Sequence, residues 1–367
     1  MRRFRKGFCL AKNTMEKNNF IKNFNPVWFA AVLGLGGITL TSVLIAKIFS
    51  VPYLNFFAVF LFYFNLVLFL FLFTIWLLKL VAYFSSLVGE LKHTTIAGFH
   101  SLMPAAAIMI SINFSKIGQS FSLWQYQNIS ILFWVIGAFF EFILLTLTIY
   151  FLVVNENMQI NFINGGWLVP PVAALLTSIA GLEIIKFIST PKLSENILWI
   201  NYFFFGVGIF IFLLFIISLF SKIFFFEKLN PKIFPSLWIT LVPFSLISLS
   251  LPLFARETAS YLPKIRDALM SIGILFNPML IGIGMWLLVL LIMLTYHYSK
   301  KIKLPYSEGW WAFVFPVASV SLASLSYAIL TKQQFFAYCG LVVYVFLIAI
   351  ATIVLVRTIK HLLTKPA

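Results

Sequence analysis

Charged residues are scarce in this chain. Asp, Glu, Lys and Arg together make up 10% of its 367 residues, whereas 62% of the residues are hydrophobic. A soluble domain carries about 25% charged residues and about 45–50% apolar ones. The composition therefore excludes a soluble globular protein and indicates an integral membrane protein.

Cysteine and the common catalytic motifs are also missing or nearly so. Cys9 and Cys339 are the two cysteines and stand near opposite ends of the chain, which argues against a disulfide framework and a metal site. The sequence has no P-loop, no H-E-x-x-H motif and no nucleophile elbow. We therefore predict neither an enzyme nor an ATP-driven transporter, and no cofactor.

Acidic residues are few. The chain has 26 basic and 10 acidic residues, which gives a net charge of +16. The positions of the charges argue against a nucleic-acid partner, because they flank ten apolar segments. Most of these segments reach the roughly 20 residues that a helix needs to cross a bilayer. The predicted spans cover residues 26–50, 54–80, 95–117, 126–154, 167–189, 196–221, 233–255, 268–298, 308–331 and 335–359.

The basic residues predict the topology of these spans. With the N-terminus in the cytoplasm, the inner side carries 18 Lys and Arg and the outer side carries 8. This bias fits the positive-inside rule with both termini cytoplasmic, and the excess also favours contact with anionic lipid. We expect a polar, basic cytoplasmic tail over residues 1–24, one transmembrane domain over residues 25–362, and a bacterial inner membrane as the location.

The predicted spans alternate in character. The second holds eight Phe between residues 56 and 73, whereas the ninth holds six Ala or Ser between residues 316 and 327. Each odd-numbered span contains a proline, and these prolines recur about every 73 residues: Pro26, Pro104, Pro171, Pro243 and Pro316. A fivefold repeat of helical hairpins accounts for this pattern.

The alternation predicts which helices lie inside. Bulky apolar spans can face lipid, whereas small residues allow close helix contacts, and interrupted backbone needs cover by protein or water. We predict an all-α polytopic protein in which five Pro-kinked odd spans form an inner ring around a pore. Candidate pore-lining or kink residues are Gly36, Pro104, Pro170, Pro171, Pro243, Pro316, Ser319 and Ser326.

The ninth span carries the most informative motif. A bulky ring, Phe315, stands directly before Pro316 and is followed by small residues, with Ser319 one helical turn further on. Such a ring could close a narrow pore. It is also one of 44 Phe, most of which must face lipid or fill space.

Several motifs resemble the tellurite-resistance/dicarboxylate transporter family, which includes the slow-anion-channel proteins. The residues 310–316, Trp-Trp-Ala-Phe-Val-Phe-Pro, are similar to the family's W-W-A-aromatic-x-F-P pattern. Weaker similarities are Asn25-Pro26 through Gly37, His93 with Phe99 and Pro104, and the Trp167 to Pro170 segment. Thr94 and the single Pro243 depart from the family's usual residues, and these departures bear on the substrate more than on the fold.

The resemblance implies an anion-conducting membrane protein, a homotrimer with one pore in each protomer, and occlusion of that pore by Phe315. Two functions remain open. One is passive passage of small anions of the chloride or nitrate class. The other is proton-coupled transport of C4-dicarboxylates, sulfite or tellurite-related oxyanions.

The second function needs a titratable group inside the membrane. Glu141, midway along the fourth span, is the candidate for proton coupling, and its alternative role is a protonated or hydrogen-bonded group at a protomer or hairpin interface. Glu183 and Lys186 lie one helical turn apart near the outer side, where a local ion pair is expected.

Overall fold

The structure is a computed structural model that describes residues 20–226, 233–301 and 304–364. Most of the tail predicted over residues 1–24, including Cys9, lies outside the described residues. The described part contains ten helices that are long and apolar enough to cross a membrane, and no strand. The predicted fold class, an all-α polytopic membrane protein with ten spans, is confirmed.

The spans form five consecutive hairpins, each made of an odd-numbered and an even-numbered span. The odd-numbered or inner spans are Pro26–Ile48, Ala97–Gly118, Gly165–Phe187, Phe234–Thr258 and Glu308–Thr331. The even-numbered or outer spans are Tyr53–Ala82, Tyr126–Val153, Pro191–Phe225, Pro263–Lys301 and Gln334–Thr364. A short helix, Phe84–Leu91, joins the second and third spans.

Burial separates the two sets as the composition predicted. The most apolar stretch of each inner span is 67–100% buried, whereas that of each outer span is 17–39% buried. The inner spans also contact one another in a closed cycle, first to third, third to fifth, fifth to seventh, seventh to ninth and ninth to first. Small side chains make this cycle possible, because they let five helix backbones approach without leaving room for lipid.

Glycines in the outer spans complete each hairpin. Gly137 of the fourth span lies against the carbonyl oxygen of Pro104, and Gly208 of the sixth lies against that of Pro171. The distances from an added Cβ to these oxygens would be 3.1 and 3.2 Å, which leaves little room for a larger side chain. The fourth and sixth spans therefore pack directly on the backbones of their inner partners.

The prolines do not kink the centres of the inner spans. Every inner span begins as a 3₁₀-helix and continues as an α-helix, and the predicted prolines after the first span lie in the first turn of the α-helical part. There a proline loses no intrahelical hydrogen bond, but its ring prevents the α-helix from extending backwards. In the ninth span the change occurs between Phe313 and Val314, two residues before Pro316.

Among the described residues, two prolines stand inside α-helices beyond the first turn. Pro252 lies within Val242–Thr258 of the seventh span, and Pro278 lies within Arg266–Lys301 of the eighth. The description of Pro243 as the single proline of the seventh span overlooked Pro235 and Pro252.

Candidate functional site

A cavity of about 420 Å³ opens where the inner spans begin. All five inner spans contribute to its wall, so that it lies on the axis of the inner ring. Its apolar lining includes Ala30, Leu33, Leu102, Ala105, Val169, Val172, Ile239, Val242, Ala312 and Phe315. Polar lining comes from Asn25, Glu90, Thr95, Ser236, Ser307 and Glu308, and no described Lys or Arg lines the cavity.

Phe315 lies in the wall of this cavity and is 5% exposed. Its ring sits against Gly37 of the first span, where an added Cβ would come within 3.4 Å of the ring and 2.7 Å of the Ala318 Cβ. The Phe315 ring therefore fits between the first and ninth spans because residue 37 is a glycine.

Of the candidate gate and pore-lining residues, Phe315 and Pro316 line the cavity, and Asn25, Pro26 and Phe99 of the weaker family motifs line it as well. Gly36 faces Met109 and Asn113 of the third span instead. Ser319 is fully buried and donates a hydrogen bond to the Pro316 carbonyl at 2.7 Å, and Ser326 is half-buried further along the helix. Pro104, Pro170, Pro171 and Pro243 stand at the junctions between 3₁₀-helix and α-helix.

Several buried hydroxyls of the inner spans bind the outer spans. Such contacts join Ser42 to Tyr344, Ser111 to Ser130, Ser178 to the Asn201 carbonyl, and Ser321 to the Gly340 carbonyl. These hydrogen bonds satisfy groups that would be costly to leave unpaired in an apolar interior. Their role here is to hold the hairpins together.

Glu141 lies outside the cavity, fully buried between the fourth span and the start of the third. Within the described residues neither of its carboxylate oxygens has a hydrogen-bond partner of good geometry, and the Ser101 hydroxyl is the polar side chain beside it. An unsatisfied buried carboxylate is costly, which makes this position a candidate for proton binding.

Glu90 connects the cavity to a buried cation that the sequence did not single out. Lys79 Nζ, 1% exposed, lies 2.6 Å from Glu90 Oε1 and also donates to the Phe24 carbonyl at 2.8 Å. His100 Nε2 lies 3.3 Å from Glu90 Oε2. Burial raises the pKa of the Glu90 carboxyl, but the nearby His100 ring and the ion pair with Lys79 outweigh burial, and the net pKa lies below the ordinary 4.5.

This shift predicts how acid affects stability. Because the pKa of Glu90 is lower in the folded protein, its contribution is present above about pH 4.5 and is lost as the pH falls through the folded-state value. We expect Glu90→Gln to lower the melting temperature in detergent at neutral pH, and the difference from the native protein to shrink below about pH 4.5. A constant difference across this range would contradict the assignment.

The opposite end of the inner ring is basic. Each inner span carries a cation at or just after its C-terminal end: Lys47, Lys116, Lys186, Arg256 and Lys332, here called the basic ring. Sequence reasoning counted these residues as outer-loop charges and, apart from the expected pair of Lys186 with Glu183, gave them no role. Their intervals of 69, 70, 70 and 76 residues follow the hairpin repeat, and that periodicity is the signal that would have revealed them.

A buried acidic side chain lies among these cations. Glu183 is 1% exposed, and Lys116 Nζ lies 2.6 Å from its Oε1 while Lys186 Nζ lies 3.4 Å from its Oε2. The expected ion pair between Glu183 and Lys186 is therefore present, and Lys116 of the third span is an additional, closer partner. Elsewhere in the described ranges, no group of three or more His, Cys, Asp and Glu side chains is placed to hold a metal ion.

Comparison with known proteins agrees with this architecture. The family described as SLAC1, voltage-dependent anion channel, matches residues 23–359. Two similar proteins come from Methanocaldococcus jannaschii. The chain is 30% identical over 344 residues to the "Uncharacterized transporter MJ0762", covering 93% of this chain and 96% of that protein. It is 30% identical over 350 residues to the "Uncharacterized transporter MJ0576", covering 95% and 96%.

The family match extends over nearly all of the ten spans, from the residues just before the first to the last turns of the tenth. It therefore includes both the cavity with Phe315 and the basic ring. This integral membrane protein belongs to the SLAC1 family of voltage-dependent anion channels.

Proposed function

We propose that the chain provides a passive pathway for small anions of the chloride or nitrate class along the axis of the inner ring, with Phe315 as the gate. One observation carries the proposal: a cavity built by all five inner spans has Phe315 in its wall. An aromatic ring beside a narrow apolar passage is a barrier to a hydrated ion until the ring moves.

Electrostatics support an anion as the permeating species. The inner spans begin at the cavity, so that the positive ends of five helix dipoles point towards it. The negative ends lie at the other side, where the basic ring supplies one cation for each helix. The basic ring therefore favours negative charge at its end of the axis. At the cavity end the helix dipoles do the same, against the carboxylates of Glu90, which is paired with Lys79, and Glu308.

The opening step would be a rotation of the Phe315 ring. Gly37 leaves one side of the ring without a side chain at that level of the first span, and Ala318 is the small neighbour on its own helix. A rotation there needs side-chain torsions only, which are fast compared with helix movements.

The second candidate function is a proton-coupled carrier for C4-dicarboxylates, sulfite or tellurite-related oxyanions. The buried carboxylate of Glu141 favours it, because such a group can take up and release a proton during a transport cycle. A carrier of this kind would tie anion movement to the pH gradient.

Glu141→Gln separates the two functions. For a passive pathway we expect chloride flux within about twofold of the native value, because Glu141 lies away from the cavity and loses only an unsatisfied charge. For a carrier the variant would lose its dependence on the pH gradient. The measurement is anion flux from proteoliposomes with and without that gradient.

The same assay tests the main proposal. Native protein in vesicles with a chloride gradient should conduct equally well with and without a pH gradient. Flux that appears only with a proton gradient, and disappears in Glu141→Gln, would replace the passive pathway by the carrier.

The assembly and location are also proposals. The resemblance to slow-anion-channel proteins supports a homotrimer in which each protomer has its own pathway, with the outer spans facing lipid or a neighbouring protomer. The distribution of basic residues supports cytoplasmic termini, and the low charge fraction with many Phe and Ile supports a bacterial inner membrane. The cavity would then open to the cytoplasm and the basic ring to the outside.

A further inference from the structure

The basic ring lies on the same axis as the cavity. Along the fifth span, Val172 lines the cavity and Glu183 follows eleven residues later. Eleven residues are close to three helical turns, so that Glu183 lies on the same helix face about 16 Å further along. The Glu183 carboxylate therefore belongs to the interior of the inner ring, at the end opposite the cavity.

Glu183 brings together the ends of three neighbouring inner spans. Lys116 approaches it from the third span, Lys186 from its own helix, and Arg256 adds its charge from the seventh. Arg256 is itself paired with Glu257. The groups around the Glu183 carboxylate are thus two lysines in contact with it and a more distant Arg–Glu pair.

Helix stabilisation explains only part of this arrangement. A cation at a helix C-terminus offsets the dipole, and this accounts for one basic residue on each inner span. It does not account for a buried carboxylate placed between two of the cations. A carboxylate carries the same charge as a small anion such as nitrate, and its oxygens accept hydrogen bonds in the same way.

We propose that Lys116 and Lys186 form an anion-binding site at the basic ring, and that the Glu183 carboxylate occupies this site as a tethered anion. A small monovalent anion arriving at this mouth competes with Glu183 for the two ammonium groups. The inference deepens the proposed anion pathway, since it supplies the binding step at the end remote from Phe315.

The exposure of the groups supports such competition. Lys116 is 45% exposed and Lys186 is 30% exposed, so both ammonium groups are accessible from the aqueous side, whereas Glu183 is 1% exposed. An incoming anion can therefore reach Lys116 before the carboxylate leaves it. Arg256, 48% exposed, raises the local anion concentration without contacting the site directly.

The test measures anion binding and flux separately. The melting temperature in detergent is followed as nitrate replaces gluconate at constant ionic strength, because a ligand bound to the folded state raises it. We expect Glu183→Gln to lower the nitrate concentration for half-maximal stabilisation by about tenfold, because a competing charge at contact distance is removed. The same shift should appear in the half-saturation of chloride flux.

The matched control is Glu195→Gln. Glu195 begins the sixth span on the same side of the membrane, and it pairs with the exposed Lys192. Its neutralisation should leave the nitrate response as in the native protein. Equal nitrate responses in the native protein and Glu183→Gln would overturn the proposal.

A second variant keeps the test decisive if Glu183→Gln does not fold. Lys116→Gln removes an exposed partner, and we expect the half-saturation for nitrate to rise several-fold; an unchanged value would also overturn the proposal. Binding and transport can fail independently. Nitrate stabilisation without any flux would support the anion-binding site and contradict the passive pathway. Flux without a change in the nitrate response of either variant would support the pathway and contradict the site.

Discussion

Phe315→Ala is expected to raise chloride flux through the protein by about tenfold or more. The substitution removes the ring from the cavity wall and leaves a methyl group between Gly37 and Ala318. A tenfold increase corresponds to a barrier lower by about 1.4 kcal/mol, a modest fraction of what it costs an anion to shed water beside an apolar ring. Flux from proteoliposomes under a chloride gradient measures the effect.

Phe313→Ala is the matched control for this experiment. Phe313 is buried to a similar degree, but its ring packs against Trp238 and Trp310 and does not line the cavity. Truncating it should lower stability by about 3–5 kcal/mol, as for other buried aromatic residues, without raising flux. Unchanged flux in a folded Phe315→Ala protein would rule out the gate, and equal increases in both variants would indicate a general leak.

Gly165→Ala is expected to destabilise the protein strongly. The backbones of the first turns of the inner spans touch one another around the cavity, and at position 165 an added Cβ would overlap the carbonyl oxygen of Ser236 in the seventh span. Backbone cannot rotate away as a side chain can, so the fifth and seventh spans would have to separate. Overpacking of this kind costs about 3 kcal/mol or more.

The melting temperature and the yield of monodisperse protein in detergent measure this effect. The control is Gly206→Ala in the sixth span, where an added Cβ meets no atom within 4 Å. There alanine should be neutral or slightly stabilising, because it favours the helical backbone more than glycine does. A Gly165→Ala protein as stable as the native one would mean that the spans tolerate a wider spacing at the cavity.

Much of the architecture could be predicted from local sequence properties. The length and apolarity of each segment fixed the number of spans, since a helix must satisfy its own backbone groups to cross a bilayer. The contrast between the Phe-rich second span and the Ala/Ser-rich ninth span predicted which helices are buried. Motif similarity around Phe315 and Pro316 pointed to the family that the comparisons confirmed.

The details of the site depended on contacts between distant parts of the chain. Pattern alone suggested kinks at the prolines, whereas the prolines mark the point where 3₁₀-helix changes to α-helix. The pairing of buried hydroxyls was not predicted from the sequence. Ser42 and Ser321 bind outer-span residues that lie 302 and 19 positions away along the chain, respectively. Neither outcome can be read from one helix considered alone.

The sequence by itself determined that this protein is a ten-span helical membrane protein, built from five hairpins with inner and outer helices, because hydrophobic length, side-chain size and proline position are local properties. Only the tertiary structure decided which groups meet. It placed Phe315 against Gly37, Lys79 against Glu90, and Glu183 between Lys116 and Lys186. These contacts join residues on different helices, and their geometry follows from how the five hairpins close into a ring.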